Sequence, residues 1–206
     1  SKNYSTNSNN TAVHCLVISP TRELAQQITT ETEKLLTFHK SPSMKKVITF
    51  VGGTNKNKDI KILQGPCPII VATPGRLLDH LSKTESLLSS LKNKLEWVVL
   101  DEADRLLDAG LGGQVEQIIQ YLRSNQPGAG RKRDGVSWRS VLVSATVNSD
   151  LEQLAKTVLG GNGGWMWARG HANQGRKSIG GELTTTNALE NGNENNTSDH
   201  QMAESN

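Results

Sequence analysis

The chain has 206 residues, 23 of them Lys or Arg and 20 Asp or Glu, with 34% apolar residues. That is a one-domain length of ordinary globular composition, and no apolar run approaches the ~18 residues of a membrane span. The five histidines lack ligand spacing, which argues against a zinc site. The two cysteines, Cys15 and Cys67, sit in apolar strand-like runs and read as reduced core residues of an intracellular protein. The charge is uneven. Residues 170–206 hold two basic and five acidic residues, leaving 21 basic and 15 acidic for residues 1–169. A moderately basic core suits a nucleic-acid partner, and equally suits a plain solvated surface.

In chain order, residues 1–11 are rich in Ser, Thr and Asn and read as a loop, without the pattern of a signal peptide. Strands are expected at Val13–Ser19, Lys46–Val51, Ile69–Ala72, Glu96–Leu100 and Ser140–Ser144. These runs are nearly continuous in Val, Ile and Leu, as strands buried on both faces of a parallel sheet are. Helical patterns alternate with them at Arg22–Phe38, Lys56–Leu63, Arg76–Lys83, Ala103–Leu107, Gly113–Arg123 and Ser149–Leu159. In the first helix Leu24, Ile28, Leu35 and Leu36 fall near one face. The alternation predicts an α/β sheet with right-handed crossovers over residues 12–160. Asn125–Ser137 is Gly-rich and basic and reads as a long exposed loop. Residues 161–206 are Gly-, Asn- and Thr-rich and are expected to be largely disordered.

In an open α/β sheet, ligands sit beyond the carboxyl ends of the strands. The first strand is followed there by Pro20-Thr21-Arg22-Glu23-Leu24-Ala25, the second by Gly52-Gly53, the third by Thr73-Pro74-Gly75-Arg76, the fourth by Asp101-Glu102-Ala103-Asp104. The fifth ends in Ser144-Ala145-Thr146. A carboxylate such as Asp101, at the end of the apolar run Trp97–Leu100, suits a Mg²⁺ anchor in nucleotide hydrolysis, and the next carboxylate can orient an attacking water. The plainer alternative is an acidic helix N-terminus, worth ~0.3–1 kcal/mol. Thr73-Pro74-Gly75-Arg76 opens a helix. Its N–H groups and arginine could bind phosphate, or the segment is simply a Thr cap with Pro at the first helical position. Arg22 and Gly52-Gly53 are each ambiguous alone.

Together these residues resemble the DEAD-box RNA helicase family. PTRELA, GG, TPGR, DEAD and SAT stand in the family's order at similar separations, and the resemblance covers residues 12–160. It implies part of a RecA-like domain, a parallel sheet with helices on both faces. It implies an ATP hydrolase that couples Mg²⁺-ATP turnover to RNA clamping and local duplex unwinding. By the resemblance, Asp101 coordinates Mg²⁺ through water, Glu102 activates the hydrolytic water, and Asp104 bonds to Ser144 and Thr146. Pro20, Thr21, Arg22, Gly53, Thr73, Pro74, Gly75 and Arg76 line the RNA sugar-phosphate backbone without reading sequence. The implied partners are RNA and a second RecA-like domain bearing arginine fingers, with no membrane, in a monomer. Glu33–His39, Gly52-Gly53-Thr54 and Cys67–His80 are similar to the family's organellar branch, with nuclear or nucleolar membership still open.

The 206 residues depart from the family pattern in one chemical respect. They contain no G-x-x-x-x-G-K-[ST] phosphate loop, which the family places shortly before position 1, so the chain reads as truncated and inactive alone as an ATPase. Trp165 and Trp167 lie in a Gly-rich segment that matches nothing in the family. Two other readings compete. One is a non-enzymatic RNA-binding remnant. The other is an unrelated phosphate-loop ATPase, which explains neither TPGR nor SAT.

Overall fold

The computed structural model describes residues 12–63, 66–92, 94–125 and 138–159. The expectations for residues 1–11, for all but the first residue of the basic loop, and for residues 161–206 lie outside them. Five strands form one sheet: β1 (Cys15–Ile18), β2 (Val47–Phe50), β3 (Ile69–Ala72), β4 (Trp97–Leu100) and β5 (Arg139–Leu142). The order is β2-β3-β1-β4-β5, and every pairing is parallel. β3 coincides with its expected run, and the other four strands are each shorter than theirs. The helices are α1 (Arg22–Leu36), α2 (Lys56–Ile62), α3 (Pro74–Lys83), α4 (Glu85–Lys92), α5 (Ala103–Asp108), α6 (Gly112–Ser124) and α7 (Ser149–Leu159), with one 3-10 turn at Pro42–Met44. The periodicity reading missed α4, because three serines interrupt its apolar pattern.

Strand alternation sorts the side chains onto two faces. Thr49 faces α1, since its hydroxyl lies 2.7 Å from that of Thr29. Phe50 faces the other way, against the His80 ring of α3 at 4.6 Å between centroids. On the α1 face, Ala25, Val47, Val51 and Val71 form a buried cluster, joined by Val17, Ile28, Leu36 and Ile69. The other face carries Leu16, Ile18, Ile70, Val98 and Leu100, all fully buried. The connection from β1 to β2 runs opposite in direction to those that follow. Right-handed crossovers therefore place α1, alone among the described helices, on its face.

Two expectations need correction. Leu35 is 72% exposed: at 100° per residue it falls at the outer edge of the stripe of Ala25, Ile28, Thr29 and Leu36, in the last turn of α1. And β5 is not buried on both faces: Val141 is 37% and Val143 49% exposed, beside Trp97 at 38%. The β1 to β2 crossover carries α1 over β2 and β3, so among the described residues no helix covers that side of β4 and β5.

Cys15 and Cys67 are free thiols. Burial pushes the Cys67 thiol up to about 12, against a smaller opposing pull from Lys46, so it is inert at neutral pH. No helix of the described residues is long and apolar enough to cross a membrane.

Leu16 is fully buried in the central strand, where neighbours cannot close over a void. Leu16→Ala is expected to cost about 2–5 kcal/mol of stability in a urea unfolding titration, with an unchanged slope.

Candidate ATPase and nucleic-acid site

The strand order reverses direction at β1, so the turns after β1 and β4 flank a crevice at the carboxyl edge. The turn after β4 is held from both sides. The Asp101 N–H donates to the Ile18 carbonyl of β1 at 2.9 Å, and the Ala103 N–H donates to the Val143 carbonyl beyond β5 at 2.9 Å. Between these anchors Glu102 takes φ 47° and ψ 54°, the left-handed region. It is the one described non-glycine residue with positive φ. Such a conformation costs about 1–3 kcal/mol and persists where the surroundings over-determine it. The Glu102 N–H donates to Asp101 Oδ1 at 3.0 Å, and its carboxylate lies 3.2 Å from Arg105 Nη1, an exposed pair of small energetic weight.

Asp104 reaches across to the turn after β5. Its Oδ2 accepts from the Thr146 hydroxyl at 2.9 Å and the Thr146 N–H at 3.1 Å. The Ser144 hydroxyl donates to the Thr146 carbonyl at 2.8 Å, so Ser144 shapes the turn that Asp104 grips. Partial burial pushes the Asp104 carboxyl up. The Thr146 hydroxyl, the N–H groups of Arg105 and Thr146, and a smallest contribution from the Ser144 hydroxyl outweigh it and hold the group below the usual carboxylate range.

On the other side of β1, Thr21 caps α1, its hydroxyl accepting from the Leu24 N–H at 3.2 Å. Arg22 and Thr21 are exposed and Pro20 is half-buried. Gly53 has φ 81°, and a methyl group there would meet Arg22 Nη1 at 3.0 Å, so the guanidinium lies directly over this glycine. Thr73 occupies the cap position of α3 with Pro74 following, yet its side chain makes no capping bond; its N–H donates to the Phe50 carbonyl. Gly75 is exposed at the α3 N-terminus, 3.3 Å from Gln114 Oε1 at its missing Cβ.

Arg76 is placed differently from the expectation that it meets RNA phosphate. Its side chain is 6% exposed and turned inward. Nε and Nη2 donate to Asp59 Oδ2 at 3.1 and 2.7 Å, and Nη2 also reaches the Thr54 carbonyl at 2.8 Å. The buried acid draws the guanidinium away from the surface. Sequence reasoning missed Asp59, His80 and Gln114. The one signal for them was Arg76 and His80 at i, i+4 on an otherwise apolar helix face.

Comparison with known proteins agrees with this geometry. Residues 3–154 match the family model for the DEAD/DEAH box helicase. The chain belongs to that family. It is 39% identical over 149 residues to DEAD-box ATP-dependent RNA helicase 26 of Oryza sativa subsp. japonica, covering 72% of this chain and 25% of that one. It is 37% identical over 144 residues to the pre-mRNA-splicing ATP-dependent RNA helicase PRP28 of Candida glabrata, covering 70% and 23%. The chain thus spans about a quarter of these relatives' length. Among solved structures, the yeast DEAD-box splicing factor Prp28 superposes with a TM-score of 0.61 at 33% identity, covering 72% of this chain and 31% of that one. Mss116p bound to single-stranded RNA and AMP-PNP gives 0.58 at 30%, covering 75% and 29%. The fold is RecA-like.

The depressed Asp104 carboxyl yields a measurable linkage. Its folded-state pKa lies below the unfolded value, so its stabilising contribution is complete above the ordinary carboxylate pKa of ~3.9 and is lost as pH falls through the folded value. Thr146→Ala removes the hydroxyl donor and leaves the N–H. The Asp104 pKa, followed by side-chain carboxyl NMR, is expected to rise toward the ordinary value without reaching it.

Proposed function

We propose that this chain is the part of an ATP-dependent RNA helicase that activates the hydrolytic water and grips the RNA backbone. The observation that carries this reading is the Asp104–Thr146 contact. It joins the acidic turn after β4 to the turn after β5 at the same sheet edge where Arg22 and Gly53 present a cationic, close-approach surface. Among the described residues no cluster of three or more metal-ligating side chains occurs. Two adjacent carboxylates suit Mg²⁺, which keeps several waters and takes its remaining ligands from substrate phosphates. Asp101 would hold the ion through water, and the ion would neutralise phosphate charge. Glu102, fixed by its left-handed backbone, is the proton acceptor for the attacking water. The donor set does not extend to the triphosphate, since the 206 residues hold no Gly-rich loop with its lysine.

RNA recognition on this reading is sequence-independent. Arg22 supplies charge, Gly53 leaves room for its guanidinium, and the α3 N-terminus offers its N–H groups, since Thr73 caps none of them. A second RecA-like domain supplies the arginine fingers.

Two measurements test the reading. The purified 206-residue chain is expected to show no RNA-stimulated ATP turnover, because the phosphate cradle and a finger worth ~10³–10⁵ in rate are both missing. Joined to a phosphate loop and second domain, it is expected to turn over, with Glu102→Gln abolishing hydrolysis and leaving ATP and RNA binding largely intact. Hydrolysis that survives Glu102→Gln removes Glu102 from the role. For RNA, Arg22→Ala is expected to weaken binding alike for all sequences and to lower the salt slope by about one unit or less.

A further inference from the structure

Behind the RNA-facing turns lies a buried polar cluster. Asp59 of α2 is 5% exposed, Arg76 8% and His80 2%, and none belongs to the Mg²⁺ or water chemistry. One carboxylate oxygen, Asp59 Oδ2, takes hydrogen bonds from Arg76 Nε and Nη2 and from His80 Nε2 at 3.0 Å. The His80 ring lies against Phe50, and its Nδ1 faces the Thr84 hydroxyl at 3.4 Å. A buried carboxylate persists only when paired, and removing its partner leaves an uncompensated charge. Beyond Asp59, Arg76 Nη2 turns outward to Thr54, 2.8 Å from its carbonyl oxygen and 3.2 Å from its hydroxyl. Thr54 is exposed and follows Gly53, over which Arg22 lies.

We propose that Asp59 is a positioning residue for the RNA grip. Through the two-headed Arg76 guanidinium it ties the Gly53–Thr54 turn to the N-terminal half of α3. The surfaces after β1, β2 and β3 are thereby held at one spacing against a continuous sugar-phosphate chain. The inference rests on the RNA reading above. Nη2 alone reaches both Asp59 Oδ2 and the Thr54 carbonyl, and Nε, donating to the same Asp59 oxygen, fixes the direction in which Nη2 points. A lysine at 76 keeps the charge and the pairing with Asp59, but its ammonium has no counterpart of Nε and rides on a flexible stem, so that direction is lost. Were Arg76 instead a plain charge near phosphate, lysine would serve nearly as well.

The test uses the full 206-residue chain, first as wild type, then as Asp59→Asn and Arg76→Lys. Backbone ¹⁵N order parameters are read at residues 52–55, and affinity for fluorescent oligouridylate is read at several salt concentrations, well below the melting temperature. In both variants the order parameters at residues 53 and 54 are expected to fall while those of β1 and α1 hold. RNA affinity is expected to fall about tenfold. Unchanged order parameters at residues 53 and 54 in Arg76→Lys overturn the tie. Lower order parameters with unchanged affinity overturn its role in the grip. Should Asp59→Asn lose its cooperative melt, Arg76→Lys decides alone. A wild-type chain that does not bind oligouridylate overturns the RNA reading itself, and does so before any substitution is compared.

Discussion

The clamping of the β4 turn between its two neighbouring strands is the constraint on which the catalytic edge depends. Because β4 lies between β1 and β5, hydrogen bonds continue past its end on both sides, to Asp101 from one strand and to Ala103 from beyond the other. The chain must turn within one residue, and a left-handed Glu102 is how it does so. The conformational cost is met by bonds that would otherwise go unmade in a part-buried site. One consequence is chemical. Asp101 and Asp104 leave the sheet edge with a hydrogen bond already made, Asp101 from the Glu102 N–H and Asp104 from Thr146, while Glu102 meets only the exposed Arg105 guanidinium.

The two halves of the edge are organised by different physics. Toward β5 the contacts are polar and solvent-accessible, a carboxylate holding a hydroxyl and an N–H, so the link can make and break at small cost. Toward β2 the contacts are charged and buried, with Asp59, Arg76 and His80 shielded beneath the turns. A buried ionic cluster adds little net stability, but removing one partner leaves an uncompensated buried charge. The rigid half faces the proposed RNA path. The yielding half faces the proposed site of hydrolysis, where a link that alters with nucleotide state could pass that change to RNA.

The α1 face of β4 and β5 sets a further condition. Trp97, Val141 and Val143 are partly exposed there, and Arg139 stacks over the Trp97 ring at 5.2 Å. The arginine covers part of the apolar surface with its planar cation. The same strands are well packed on the other side, where Ser140 bonds to the last turn of α7 and the α6 face carries Val115, Ile118, Ile119 and Leu122. Among the described residues the sheet is therefore covered on one face and open on part of the other.

The sequence by itself determined the strands, six of the seven helices among the described residues, and the polar set at the carboxyl edge. A parallel sheet writes itself as short Val, Ile and Leu runs, each ending abruptly in small or charged residues. PTRELA, GG, TPGR, DEAD and SAT are local strings whose order along the chain needs no coordinates to read. It could not show which way a side chain points. Arg76 lies in a motif that suggests phosphate, and only the approach of Asp59, 17 residues earlier in the chain and on another helix, turns it inward. Leu35 and Leu36 read alike in a hydrophobicity pattern, and only the seating of α1 on the sheet buries one and exposes the other. The left-handed backbone of Glu102 has no signal in its residue type, because it comes from two strands far apart in sequence pulling on one turn. Local pattern is set by neighbours in the chain. Direction, strain and pairing are set by neighbours in space, which only the tertiary structure supplies.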